Sequence, residues 1–479
     1  MLNSNTAILW LSFFAAVFAV AGLVFARRHQ GDLEEFIVAR NSQTSHATFL
    51  TLLATTMGTW VLFGPAESAT WGGIGAILGY ALGTLIPSLI MIPLGTRIRE
   101  IMPTGHTLTE FVRARYGRSV YLCVLFIMLF YLFIGLSAGL TGIAQMVALL
   151  APVPLWVTAS IVMLSTLLYT LYGGLKVTIF TDRMQMLVIL PFIILMFVLG
   201  WQATGGLAPV IDGLKEKAPQ LLNPFDSQGM ETGATFFLAV SLTGLFYQGT
   251  WQRIFAAKTD KVIRNSFILS GLVSFPILIA FGLFGLAFVG LSLPGSGSTA
   301  LFSVVLDNAP SWLLVGMIFF GLALIMSSAD STISSFHSLF IVDLNRLFPS
   351  LTQHKLTLTS RLLIVLISVL ALLVAAKGYS ILYLFLLADL LCCAAAFPVF
   401  FGFYNSRYQN YQALISIIGG LIAGLLYFPK PGEPIAFLFE SFLLATLTPV
   451  ATSLVLLSLP SKKSFDFSII HKTINKIGG

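Results

Sequence analysis

Phe49-Leu-Thr-Leu-Leu-Ala-Thr-Thr-Met-Gly-Thr-Trp-Val-Leu-Phe-Gly-Pro65 is apolar enough to cross a membrane, yet Gly58 and the Gly64-Pro65 pair interrupt it. A helical crossing needs about 20 mainly apolar residues. Unwound backbone at that depth is tolerated only where it is buried in protein or lines a cavity. The stretch is therefore read as a discontinuous helix. A comparable pattern recurs in Leu242-Thr-Gly-Leu-Phe-Tyr-Gln-Gly-Thr-Trp251, where Gly244 and Gly249 bracket Tyr247 and Gln248. Ordinary close packing through glycines is the competing explanation for each stretch taken alone.

Composition makes the membrane reading general. Of 479 residues, 57% are hydrophobic and 9% charged, with 41 Phe against 26 Lys+Arg and 19 Asp+Glu. So little charge cannot solvate a compact body of this size, which excludes an ordinary soluble globule. The net charge of +7 does not point to nucleic acid, because the basic residues lie in short clusters between apolar runs. Cys123, Cys392 and Cys393 sit within apolar runs and suggest packing rather than a disulfide framework or a zinc site. No metalloprotease, phosphate-loop or nucleophile-elbow motif is present, so the chain is not expected to be an enzyme.

Thirteen apolar runs are predicted to span, the first from about Ile8 to Ala26 and the last from about Ile435 to Leu459. With the N-terminus outside, 22 of the 26 basic residues fall on the cytoplasmic side, leaving Lys215, Lys217, Lys377 and Lys430 outside. That asymmetry selects an N-out, C-in all-α integral membrane protein. Residues 1–45 supply an extra first helix and loop, 46–204 and 233–404 two five-span blocks, 405–459 two further helices, and 460–479 a cytoplasmic tail. Blocks with an odd number of spans start from opposite sides of the membrane. The second is therefore inverted relative to the first, and the interrupted spans, second and seventh, open the two blocks. Interrupted spans at matching positions of inverted repeats indicate a secondary transporter with its site at the midplane.

The ninth span adds oxygen ligands. In Leu324-Ile-Met-Ser-Ser-Ala-Asp-Ser-Thr332, Leu324, Ser327 and Ser328 share a helix face, and so do Ser327, Asp330 and Ser331. Hard cations take oxygen ligands. Asp182, at the start of the sixth span, is placed to reach the lower cluster. Back-bonding of the serines to their own helix is the alternative. An intramembrane aspartate argues for function.

These residues resemble the sodium:solute symporter family, which includes carriers of proline, pantothenate, sugars and monocarboxylates. The resemblance covers nearly the whole chain and rests on Thr107-Leu-Thr-Glu-Phe-Val-Arg-Ala-Arg-Tyr-Gly117, Tyr169-Thr-Leu-Tyr-Gly-Gly-Leu-Lys176, Thr181-Asp-Arg-Met-Gln185, Gln252-Arg-Ile-Phe-Ala-Ala-Lys258 and Met326-Ser-Ser-Ala-Asp-Ser331. It implies the leucine-transporter-type inverted repeat, with Na+ as the coupling ion. The implied sodium site uses backbone carbonyls of Ala54, Met57 and Leu324 and the hydroxyls of Ser327 and Ser328. Asp182, Ser327, Asp330 and Ser331 match a second sodium site of some relatives. Asp330 replaces a hydroxyl of that pattern, which either tightens sodium binding or creates a proton site.

By the same resemblance, Thr59, Trp60, Gly135, Tyr247, Gln248 and Trp251 surround the substrate. The proline pocket is not reproduced, because Thr56 stands where proline carriers have Asp and Gly135 where they have an aromatic residue. Glu67 reads as an outer-gate residue, or as one favouring a cationic substrate. His337 and Asp389, though inside spans, read as packing and as structural or gating residues. The expected function is sodium-coupled symport of a small polar organic solute by alternating access, in a bacterial inner membrane. The expected partners are the solute, sodium ions and lipid, with no nucleic acid; the oligomeric state is left open. The alternatives are proton coupling at Asp330 and a sensory membrane module, against which the short tail argues.

Overall fold

The computed structural model describes residues 1–29, 31–306, 309–430, 436–459 and 464–474. Ile435, the expected start of the last span, lies outside them, as do the basic residues Lys462, Lys463 and Lys476. Among the described residues the chain is helical, with no strand beyond an isolated bridge between Gln43 and Ala257.

In chain order the helices are α1 (Ser4–Arg28), α2 (Leu33–Ile37), α3 (Ser45–Thr56), α4 (Gly64–Ile101), α5 (Leu108–Tyr116), α6 (Arg118–Leu150), α7 (Leu155–Ala203), α8 (Leu207–Lys217) and α9 (Ser227–Thr243). They continue as α10 (Gln248–Ala256), α11 (Asp260–Gly290), α12 (Ala300–Val305), α13 (Ser311–Leu347), α14 (Gln353–Lys377), α15 (Ile381–Phe401), α16 (Asn410–Leu425), α17 (Leu438–Ser458) and α18 (Ser468–Thr473). Ten helical segments among the described residues are long and apolar enough to cross a bilayer, and α16 is a shorter apolar helix.

Ten rather than thirteen has two causes: two pairs of expected spans are fused, in α4 and α7, and α16 is shorter than a full crossing. α4 bends at Gly73 (φ 55°, ψ −144°) and α7 at Gly174 (φ 58°, ψ −166°), conformations open to glycine and strained for other residues. Each glycine kinks the helix without an intervening loop, so spans expected to be separate run together. The predicted interruptions are both present. α3 stops at Thr56 and α4 starts at Gly64, with Pro65 in its first turn, where a missing N–H costs nothing. α9 gives way to a 3-10 turn at Gly244–Phe246 before α10 begins at Gln248.

α13 and α15 are the most enclosed of the long helices, whereas α1, α14 and α17 keep most of their surface for lipid. α4 lies between α9 and α11. Its approach to α9 is set by small residues: a Cβ on Gly79 would stand 2.0 Å from the Gly233 carbonyl. The described part of the tail folds back onto α5, where the Arg115 guanidinium lies 4.5 Å from the centre of the Phe465 ring.

Candidate functional site

The break between α3 and α4 frees backbone. Met57 caps α3 by donating to the Leu53 carbonyl, and Gly58 is extended (φ −93°, ψ 177°). The Gly58 N–H turns to the Thr56 carbonyl at 3.1 Å and the Val61 N–H to the Gly58 carbonyl at 3.2 Å. The carbonyls of Ala54 and Met57 therefore lose the i+4 partners a continuous helix would give them.

α13 answers this with hydroxyls. Ser327 Oγ lies 3.1 Å from the Ala54 carbonyl and 3.2 Å from the Leu324 carbonyl. Ser328 Oγ lies 3.1 Å from the Leu324 carbonyl and 3.1 Å from that of Ile325. A Cβ on Gly58 would meet Ser328 Cβ at 3.5 Å, so the break and the second serine are in contact. Ligand oxygens about 2.4 Å from a hard cation stand roughly 3.4 Å apart when octahedrally arranged. The 3.1–3.2 Å spacings found around the break are slightly shorter than that.

The second cluster is organised differently from the expectation. Ser327 turns to α3 and takes no part. Asp182 and Ser331 are joined by a cation of the protein itself: Arg253 Nη2 donates to Asp182 Oδ2 at 3.1 Å and to Ser331 Oγ at 2.6 Å. Arg253 also donates from Nε to Thr51 Oγ1 at 3.2 Å and from Nη1 to the Gly249 carbonyl at 3.2 Å, and Thr51 donates to Asp182. Asp330 is held apart by the hydroxyls of Tyr169 and Thr181, each 2.8 Å from Oδ2. Asp182 and Asp330 are both fully buried, and the Oδ1 of each has no hydrogen-bond partner among the described residues.

Beside the break lies a cavity of about 190 Å³. Thr59, Trp60, Gly135 and Tyr247 line it, together with Thr56 and Ser328. Nothing lies within 4 Å of a Cβ on Gly135, so the absence of a side chain there is felt as open space. Gln248 and Trp251 are elsewhere. The Gln248 amide donates to the His106 carbonyl at 3.0 Å and to Ser338 Oγ at 3.2 Å. Trp251 donates to the Leu245 carbonyl at 2.9 Å and stacks on Phe400. The first residue of the restarted helix and its buried aromatic thus serve the packing of α10. Glu67 is half-buried in the first turn of α4 and does not line the cavity. His337 is buried, its Nδ1 2.9 Å from Ser360 Oγ.

Two residues were missed from the sequence. Arg253 reads there as part of a basic cytoplasmic segment, and Asp389 as structural or gating. The structure puts the first in the ion cluster and the second in the cavity wall.

Broken helices meeting a hydroxyl-bearing helix beside a solute-sized cavity define a secondary transporter. The chain matches the sodium:solute symporter family over residues 36–420 and belongs to it. Its activity is accordingly symport, not enzymatic catalysis. It is 26% identical over 446 residues to a spermidine transporter, DUR31, of Candida albicans, covering 90% of this chain and 82% of that one. It is 24% identical to the sodium/pantothenate symporter of Escherichia coli, covering 58% of each chain, and 22% identical to a urea-proton symporter, DUR3, of Oryza sativa subsp. japonica, covering 74% of this chain and 54% of that one. A Na+-coupled sialic acid symporter solved in a substrate-bound outward-open state superposes with a TM-score of 0.78 at 20% identity, over 96% of this chain and 98% of that one. The nucleobase-cation symporter Mhp1 follows with a TM-score of 0.59 at 15% identity, over 91% of this chain and 98% of that one.

Proposed function

We propose that the chain couples the downhill entrance of a single sodium ion to uptake of a small polar organic solute by alternating access. Ala54, Met57, Leu324, Ser327 and Ser328 would hold the ion, and the cavity beside it the solute. The observation that carries this is the Ser327 hydroxyl bridging the break in the second span to α13. An ion there ties α3 to α13, so its arrival and departure bias the two halves of a bistable structure. The ion-bound state binds solute more tightly, and linkage makes the effect reciprocal.

One sodium rather than two follows from Arg253. With a guanidinium on Asp182 and Ser331, a second cation in that cluster meets like charge at close range. Thirteen crossings in the N-out orientation would follow from dividing α4 and α7 at Gly73 and Gly174, counting α16 as a short crossing, and from the distribution of basic residues. An energised cytoplasmic membrane, in bacteria the inner one, supplies the sodium gradient.

The test is uptake by purified protein in proteoliposomes with and without an inward sodium gradient. Accumulation that ignores sodium would sink the proposal. Proton coupling at Asp330 is the second reading, favoured by the buried, unpartnered Oδ1 of that residue. Uptake that survives sodium removal and is abolished in Asp330→Asn would select it. Sodium-dependent solute binding with no accumulation would select a sensory role.

The names of relatives do not settle the solute, since spermidine is a cation, urea neutral and pantothenate an anion. A basic solute is the reading that agrees with the spermidine transporter, which of the three sequence relatives named above is matched over the greatest share of its own length.

A further inference from the structure

Asp389 projects from α15 into the wall of the cavity and is its single charged residue among those described. Its residue exposure is 7%, and the neighbouring Thr243 hydroxyl is turned to the Ala239 carbonyl at 2.6 Å. None of the ion pairs among the described residues involves it: the buried cation of the bundle, Arg253, is committed to Asp182. An uncompensated carboxylate inside a membrane protein is expensive and is retained where something brings the missing charge.

The rest of the wall suits a cation too. Trp60, Tyr80, Tyr131, Tyr247 and Phe385 all face the cavity. Trp60 stacks on Tyr80 with centroids 5.8 Å apart, and Tyr131 stands edge-on to Tyr247 at 6.2 Å. Aromatic faces carry negative potential, attract ammonium groups and disfavour anions. Glu67, one turn after Gly64, lies on the same helix as the cavity-lining Tyr80, whose hydroxyl a Cβ on Gly64 would meet at 2.7 Å. At about 190 Å³ the space exceeds the ~150 Å³ that accommodates benzene, which limits the solute to roughly six to ten non-hydrogen atoms.

We propose that the solute is an organic cation, an aliphatic amine whose ammonium group pairs with Asp389 inside the aromatic cage. This rests on the symport reading, with sodium bound separately at Ser327 and Ser328.

The experiment has two readouts on wild-type protein: sodium-gradient-driven uptake, and equilibrium binding of radiolabelled putrescine in saturating sodium. Competitors are spermidine, 1,4-butanediol, urea and pantothenate. Spermidine should displace putrescine, and butanediol, its neutral counterpart in shape, should compete at least 100-fold more weakly. Asp389→Asn should weaken putrescine binding at least 100-fold and Asp389→Glu should restore it to within about tenfold. Putrescine accumulation independent of sodium would overturn the sodium coupling and leave the amine assignment standing. Sodium-driven accumulation of urea or pantothenate that neither amine inhibits would overturn the amine assignment and leave symport standing. Because that competition is read on wild-type protein, misfolding of the Asp389 variants does not rescue the assignment.

Discussion

A hydroxyl that reaches across a helix break is worth more than its hydrogen bond. Ser327 and Ser328 each donate to a carbonyl, and in the proposed sodium site each would turn its lone pairs toward the ion. Ser327→Ala and Ser328→Ala should each raise the sodium concentration for half-maximal uptake about tenfold or more, roughly 1.4 kcal/mol for each lost ligand. Met57→Leu should leave it within about threefold, because that residue contributes its backbone. A sodium titration of uptake at saturating solute distinguishes these. Arg253 carries a different cost. Removing it strands Asp182 in the interior, a loss of about 3–5 kcal/mol. Arg253→Met should therefore destabilise the protein strongly, and Asp182→Asn added to it should recover part of the loss. Thermal unfolding of the four proteins in detergent measures the coupling. The serines were legible in the sequence through their helical spacing. Arg253 was not, since in a chain read linearly the end of a span looks like the start of a loop. The break lets α10 restart at depth, so a residue five positions into a short helix reaches the centre of the bundle. Asp389 was visible as an intramembrane acid, but only the packing of α15 against the cavity shows what it faces.

At the scale of the elements, the interruptions in the second and seventh spans were readable because glycine and proline break a helix for local reasons. The glycine kinks were not read as such. Gly73 and Gly174 look like other glycines until their positive φ is seen, and a kink with no polar loop leaves nothing in composition to mark it. Gly174 tests the point. A Cβ there would stand 2.6 Å from the Phe36 carbonyl, in a backbone region reserved for glycine. Gly174→Ala should cost roughly 1–3 kcal/mol from backbone strain alone, and further steric cost adds to it. The expected outcome is a lowered unfolding temperature in detergent and poor recovery of folded protein. A control, Gly206→Ala, has open space within 4 Å but also a positive φ, so its loss should be limited to the strain. If both variants unfold with the wild type, the two α7 segments do not depend on the bend.

For the whole molecule, the charge asymmetry that oriented the sequence reappears as a buried ionic lock. His106, in the loop between α4 and α5, is fully buried with Nε2 2.6 Å from Glu34 Oε2 and Nδ1 3.3 Å from Glu110 Oε2. Arg40 pairs with Glu34 at 2.6 Å, Arg346 of α13 with Glu110 at 3.3 Å, and Gln248 of α10 donates to the His106 carbonyl at 3.0 Å. Four separate parts of the chain thus meet around His106, with Glu34 and Glu110 on its imidazole. Burial pulls the His106 pKa down, but Glu110 and Glu34 outweigh it and lift it to about 9. Burial pushes Glu34 and Glu110 up, and His106 with the flanking arginines carries both below the usual glutamate value. The signs define a window. A histidine whose folded pKa is raised contributes stability fully below its unfolded value of about 6.5, lost as pH rises through 9. Glutamates whose folded pKa is lowered contribute above their unfolded value of about 4.3, lost as pH falls through the lowered one. Unfolding temperature in detergent should therefore be highest near pH 5–6.5 and decline toward pH 9 and above. His106→Gln should lower the maximum and remove most of the alkaline decline, because its amide keeps hydrogen bonds but not charge. A variant whose profile runs parallel to the wild type would place the alkaline sensitivity elsewhere. The N-out reading puts this lock on the cytoplasmic face, so the same variant should also speed release of solute to the inside. Efflux from preloaded proteoliposomes at pH 6 measures that independently of stability, and an unchanged rate would confine the lock to holding the fold together.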